Sequence, residues 1–195
     1  MKKNKKNIRN KYSSKRNLYI GGFKIGKADE LCFQEKNYNS TYGELTKSGA
    51  CQLFANYPMR NKVFCDLGSG TGNVLHYVLS MFPALKKSIG LELSRERHEI
   101  AIEKYNKYIS TNKMELYNMD LLDFPVSNCD YIYISNLCFP EHLNKSIGKK
   151  IDEEYREKMV VFSSKEIYCE NHWKKEEKTV AQTWDTKSRI YVYSF

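Results

Sequence analysis

No stretch of the 195-residue chain approaches the ~18 consecutive apolar residues of a membrane-spanning helix, so no span is expected. Nor does an apolar segment of ~7 to 15 residues follow the charges near the start, which argues against a secretory signal. The cysteines are unpatterned: Cys32, Cys51, Cys65, Cys129, Cys138 and Cys169 include no C-x-x-C pair and no histidine at metal-ligand spacing. Four of them lie in apolar surroundings. The set is expected to be buried free thiols in a reducing, intracellular setting, with no metal site and no disulfide framework. Internal repeats are absent. Acids are missing from the first 28 residues, which hold ten Lys or Arg. That leaves 22 of the 32 basic residues to face 23 acids, so the net charge of +9 belongs to an arm while the body is nearly neutral.

What is present describes a globular protein, 41% hydrophobic with 15 Tyr and 9 Phe. The length fits one α/β domain with a full core and is too short for two ordinary ones. The expected division is a disordered basic arm over residues 1–17 and a single domain over 18–195. Such an arm suits nucleic-acid phosphates, with salt-sensitive affinity; a localisation signal or a solubilising tail are its plainer readings.

The most informative stretch is residues 62–73, Lys-Val-Phe-Cys-Asp-Leu-Gly-Ser-Gly-Thr-Gly-Asn. Val63, Phe64 and Cys65 read as a buried parallel strand, and Asp66 as the start of a turn carrying Gly68, Gly70 and Gly72. A strand, a glycine turn and a helix make a nucleotide-type crevice, because the backbone can lie against a ligand there. Dinucleotide sites tend to read G-x-G-x-x-G; here the third glycine comes one residue early and an acid precedes the first. That pattern resembles motif I of class I S-adenosylmethionine (AdoMet) methyltransferases, although a glycine triplet also makes a plain tight turn. Glu92 ends a second strand, Ser88–Glu92, 20 residues beyond Gly72, where an acid suits two ribose hydroxyls. Asp120 ends a third, from Met114 to Met119, where such enzymes often place an acceptor for the adenine amine.

Along the rest of the chain, 18–23 is an edge strand or a segment lying across the body, and the two stay open. Tyr42-Gly43-Glu44 reads as a polar surface loop, and Ala50, Cys51, Leu53 and Phe54 as a helix ending near Pro58. Helical spacing covers Val74 to Phe82, with His76 a packing or surface residue, and Ser94 caps a helix to about Ile109. A fourth strand, Asp130–Ser135, a helix from Pro140 to about Lys158, and a fifth strand, Met159–Ser163, continue the alternation. This requires a mostly parallel sheet with right-handed crossovers. Thr179–Trp184 and Arg189–Ser194 read instead as a closing antiparallel hairpin. The expected fold is the class I methyltransferase Rossmann-like α/β fold.

Taken together, Tyr42-Gly43-Glu44, Asp66 to Gly72, Gly90-Leu91-Glu92, Met119-Asp120, Ser135 to Phe139 and Ser163-Ser164-Lys165 resemble the disruptor-of-telomeric-silencing family. These are histone-lysine methyltransferases without a SET domain. The resemblance covers roughly residues 40–195, and it implies AdoMet as cofactor and a nucleosome as partner, a lysine in the globular core of histone H3 being methylated. It implies that Tyr42 and Glu44 close over the methionine end of the cofactor. Asp66, Gly68, Gly70 and Asn73 line it, Glu92 holds ribose, and Asp120 with Leu121 holds adenine. Ser135, Asn136 and Phe139 form the wall facing the reacting nitrogen, and Trp184 and Tyr191 complete an aromatic channel for the lysine stem. A core aromatic in a hairpin is the plainer reading of Trp184. Ser135 stands where the family usually has Asn, Leu121 where it has Phe, and Leu45 where Thr often follows the loop. A large helical N-terminal domain is not expected.

The implied chemistry is in-line displacement by a lysine amine, whose ordinary pKa of ~10.4 must be overcome. A dry aromatic channel beside a sulfonium favours the neutral amine through desolvation and like-charge repulsion. A monomer is expected, in the nucleus or on chromatin if the source is eukaryotic or viral. The rival functions are RNA or DNA methylation and a silent nucleic-acid-binding module on the same fold. Ser135-Asn136-Leu137-Cys138 lacks the Asp/Asn-Pro-Pro-aromatic signature of base amino methyltransferases. Intact Gly68, Gly70, Gly72, Glu92 and Asp120 argue against decay.

Overall fold

A computed structural model describes residues 24–170 and 173–194. The expected arm and the undecided segment 18–23 lie outside the described residues. Seven strands form one sheet: β1 (Val63–Leu67), β2 (Lys87–Glu92), β3 (Met114–Asn118), β4 (Tyr131–Ile134), β5 (Val160–Ser163), β6 (Lys174–Val180) and β7 (Ser188–Ser194). Their order is β3-β2-β1-β4-β5-β7-β6. The first five run parallel, and β7 enters antiparallel to both β5 and β6.

The two-residue period of the strands sorts the core onto two faces. In β4 the tyrosines Tyr131 and Tyr133 join Phe54, Phe64 and Phe162 on one side. Ile132 and Ile134 join Leu143, Ile147 and Ile151 on the other. The first face is closed by α2 (Lys47–Phe54), α3 (Asn73–Met81) and Tyr105 of α4 (Arg95–Ser110); the second is closed by α5 (Glu141–Glu154). Phe54 meets Phe64, Tyr133 and Phe162 edge-on at 5.3, 6.0 and 5.1 Å, the geometry that ring quadrupoles favour.

Several expectations are corrected. Asp66 lies inside β1, paired in register with Gly90 and Tyr133, and the turn starts after Leu67. A helix precedes the Tyr42 loop: α1 (Lys27–Glu35), whose buried residues are Asp29 and Phe33. A single buried apolar side chain leaves no helical stripe to read. The second hairpin strand is β7, as expected to within a residue, but the first lies earlier, over Lys174–Val180, so Trp184 sits in the connection between β6 and β7. Cys65 and Cys129 form a disulfide across 64 residues with their Cα atoms 6.0 Å apart, and Cys32, Cys51 and Cys138 are exposed. The free-thiol reading fails for the pair because β1 and β4 are neighbours only in the folded sheet. Among the described residues no helix is long and apolar enough to cross a membrane, and no cluster of His, Cys, Asp and Glu could hold a metal.

Candidate cofactor and acceptor site

Asp66, the glycine turn, Glu92, Asp120 and Ser135 all stand at the carboxyl ends of parallel strands, the edge where open α/β sheets bind ligands. The amides of the turn are engaged by the protein itself. Gly68 N and Ser69 N donate to Leu91 O, Gly70 N donates to Glu92 Oε2 at 2.8 Å, and Thr71 N donates to the Tyr42 hydroxyl at 3.1 Å. Gly70 has φ +54°, and a Cβ there would run into the Tyr42 ring. Glycine is thus required at this position for its backbone angle and to admit a side chain of the loop.

That loop is fixed from three sides. Glu44 accepts from the Tyr42 hydroxyl, from Asn73 Nδ2 at 2.6 Å and from Thr71 Oγ1 at 3.3 Å. Asn73 Oδ1 in turn accepts from Tyr105 and Lys104. The Arg97 guanidinium lies 4.6 Å from the Tyr42 ring centroid and donates to Ser40 O at 2.6 Å. Glu44 and Thr183 exchange two bonds, Glu44 N to Thr183 Oγ1 at 3.1 Å and Thr183 N to Glu44 O at 2.9 Å. Leu45 bridges Gln182, and a Cβ on Gly43 would strike the six-membered ring of Trp184. The loop expected on the surface is therefore half-buried under Trp184.

Three carboxylates shape the field. Asp66 is buried, and its Oδ1 accepts no hydrogen bond from the described residues. Burial pushes its pKa well above the usual value, with Glu44 and Glu92 adding to the rise. Glu92 accepts one backbone N–H on each oxygen, from Gly70 and from Ser94, and burial raises its pKa as well. A carboxylate has roughly four acceptor sites, so lone pairs remain for two hydroxyls. Asp120 receives Leu122 N on Oδ1 at 3.0 Å and, on Oδ2, Lys36 at 2.9 Å and the Tyr38 hydroxyl at 3.3 Å. A cleft opens beside it, with Gly68, Leu91, Asp120, Leu121 and Phe139 in its lining.

With this crevice in view, the comparisons with known proteins are specific. The family model described as histone methylation protein DOT1 matches residues 25–192. The chain belongs to the DOT1 histone methylation family. It is 32% identical over 98 residues to the H3 lysine-79-specific histone-lysine N-methyltransferase of Dictyostelium discoideum, a match covering 44% of this chain and 5% of that protein. The chain thus spans a small part of that relative's length. Among solved structures it resembles an RNA methyltransferase from Salinibacter ruber in complex with S-adenosylhomocysteine (TM-score 0.52, 15% identity, 88% of this chain and 91% of that one). It also resembles the pyocyanin biosynthetic protein PhzM (TM-score 0.60, 13% identity, 75% and 54%). At such identity these likenesses speak for the fold, which is that of class I methyltransferases.

AdoMet is the cofactor of the DOT1 family, and the residues present fit it. A buried carboxylate oxygen with no donor from the described residues suits the ammonium end of an amino acid. On the acceptor side, the two candidates after β4 separate. Asn136 is fully buried with its amide engaged: Nδ2 donates to Asn144 Oδ1 at 2.6 Å, while Oδ1 accepts from Ser163 Oγ and Lys165 N, both at 2.9 Å. Ser135 is half-buried and donates to Gly43 O at 3.4 Å. Phe139 is held through its carbonyl, which accepts from Asn144 Nδ2 at 3.0 Å. Tyr191 lies on β7 opposite Ser163, its ring facing Lys175 at 5.8 Å and Arg189 at 6.0 Å. The structure brings Tyr42, Gly43, Glu44, Asn73, Ser135 and Trp184 together, and among the described residues it shows no ring contact joining Trp184, Tyr191 and Phe139. Sequence reading missed Phe33, Lys36, Tyr38 and Arg97, for which no motif gives a signal.

Proposed function

We propose that the chain is an AdoMet-dependent protein-lysine N-methyltransferase acting on a lysine in the globular core of histone H3 on nucleosomes, as a monomer on chromatin. The observation that supports this reading is the convergence on Gly43, where the Tyr42-Gly43-Glu44 loop is covered by Trp184 and joined to Ser135 beside the glycine turn. These are the segments that distinguish the family from other class I enzymes.

AdoMet, when bound, supplies a methyl group on a sulfonium that a nucleophile can displace in line. Asp66 is assigned its ammonium end, Glu92 the ribose hydroxyls, and Asp120 with Leu121 the adenine side. Tyr42, Glu44 and Asn73, bonded to one another and to the turn, hold the loop shut over the methionine end and exclude water. Ser135, whose hydroxyl is bonded weakly to Gly43 O, orients the amine. Trp184, Phe139 and Tyr191 are assigned to the lysine stem, where their rings favour the neutral amine by desolvation before transfer. They retain the methylated ammonium by cation–π attraction afterwards. Alignment supplies much of the remaining rate.

The test is transfer of labelled methyl from AdoMet to nucleosomes, free core histones, DNA and RNA in parallel, with Gly70→Arg as the blank. Label in histone H3 of nucleosomes is expected. Label confined to DNA or RNA would replace the substrate and leave the fold untouched.

A further inference from the structure

We propose that Phe33 and Tyr38, from the segment that precedes the Tyr42 loop, form the aromatic face that receives the adenine ring of the cofactor. The inference rests on AdoMet being the ligand of the crevice. The ends of β2 and β3 offer that ring aliphatic contacts from Leu91, Leu93, Met119 and Leu121, and Phe139 enters the lining from the β4 side, beside Gly68. A purine gains most from a flat, polarisable partner. Phe33 and Tyr38 are in the same lining and come from outside the sheet, on α1 and the turn after it.

Both rings are held in place. The start of α1 is tied to α4, with Gly26 N donating to the Glu96 carboxylate at 3.1 Å, and Asp29 Oδ2 accepting from Glu96 N at 2.9 Å and from the Ser94 hydroxyl. Its end is tied across the cleft, where Lys36 and the Tyr38 hydroxyl share Asp120 Oδ2. The Tyr38 ring also stacks on His142 at 5.9 Å and 30°. Asp120 is thereby recast as the anchor of this strap, and its Oδ1, which carries a single bond from Leu122 N, keeps an acceptor site for the adenine amine.

Calorimetric titration of the full chain with S-adenosylhomocysteine and with 5′-methylthioadenosine, which keeps the purine nucleoside and lacks the amino-acid end, separates the two halves of the site. Phe33→Leu and Tyr38→Leu are expected to weaken both ligands by about tenfold, whereas Tyr38→Phe, which keeps the ring, stays within about twofold. Asp66→Asn weakens S-adenosylhomocysteine alone. Leu121→Phe added to Tyr38→Leu recovers part of the lost affinity, a gain that a merely structural defect would not show. Wild-type affinity in both leucine variants overturns the assignment, as does equal loss in Tyr38→Phe and Tyr38→Leu. A wild-type chain that binds neither ligand overturns the cofactor reading itself, and the proposal with it.

Discussion

Burial raises the Asp66 pKa, and no donor among the described residues offsets the cost of ionising it. A folded pKa above the unfolded value means that the native state binds more protons between the two, so stability falls as pH rises through that window. Asp66→Asn is therefore expected to raise the melting temperature of the ligand-free protein at neutral pH. The gain should shrink as pH falls toward the unfolded carboxylate pKa of ~3.9. The same change should abolish AdoMet binding, read by calorimetry, because the ammonium loses its counter-charge. Asn136 and Ser135 predict opposite phenotypes. Asn136→Ala strands Ser163, Lys165 and Asn144 and should cost about 1–3 kcal/mol in denaturant unfolding. Ser135→Ala, at a half-buried site with one long bond, should leave unfolding unchanged within about 0.5 kcal/mol and lower the rate of methyl transfer. At this scale the sequence offered two adjacent residues of similar chemistry, and only burial and bonding partners separate the fully engaged Asn136 from the half-buried Ser135.

The elements legible in the chain were those with a periodic apolar pattern or a cap. Ser94 caps α4 as its spacing implies, accepting from Arg97 N, and Val74, Leu75, Val78 and Leu79 are the buried stripe of α3. Helix α2 starts at Thr46, whose hydroxyl accepts from Gly49 N at 3.0 Å and donates to Ala181 O at 2.9 Å. It thus caps a helix and ties it to the segment before Trp184. Thr46→Ala should cost about 1 kcal/mol in chemical unfolding, the usual worth of such a cap. Gly43→Ala is a sharper test of the loop, since its added carbon meets the Trp184 ring. It should weaken AdoMet binding and slow methyl transfer, and Trp184→Ala in the same chain should restore AdoMet affinity without restoring turnover. Helix α1 was illegible because it is fixed by polar ties to Ser94, Glu96 and Asp120, which lie 65 to 84 residues away and leave no local trace.

On the scale of the molecule, charge and topology divide the work. The described body is nearly neutral, and eight Lys or Arg stand in residues 1–17. Removing those residues is expected to weaken nucleosome use and flatten its salt dependence while AdoMet affinity stays as it was; a methylation assay over a salt series checks this. The sequence by itself determined the alternation of strands and helices, the glycine turn and the acids that follow it. Each of these depends on chemistry within one strand-turn-helix unit, where hydrophobic period and glycine spacing carry the information. The tertiary structure alone decided that Cys65 meets Cys129, that Trp184 covers Gly43, that Asn136 is spent inside the protein, and that Phe33 and Tyr38 reach the cleft. Those contacts join residues brought together by the order in which the strands assemble, and strand order leaves no mark on any single segment.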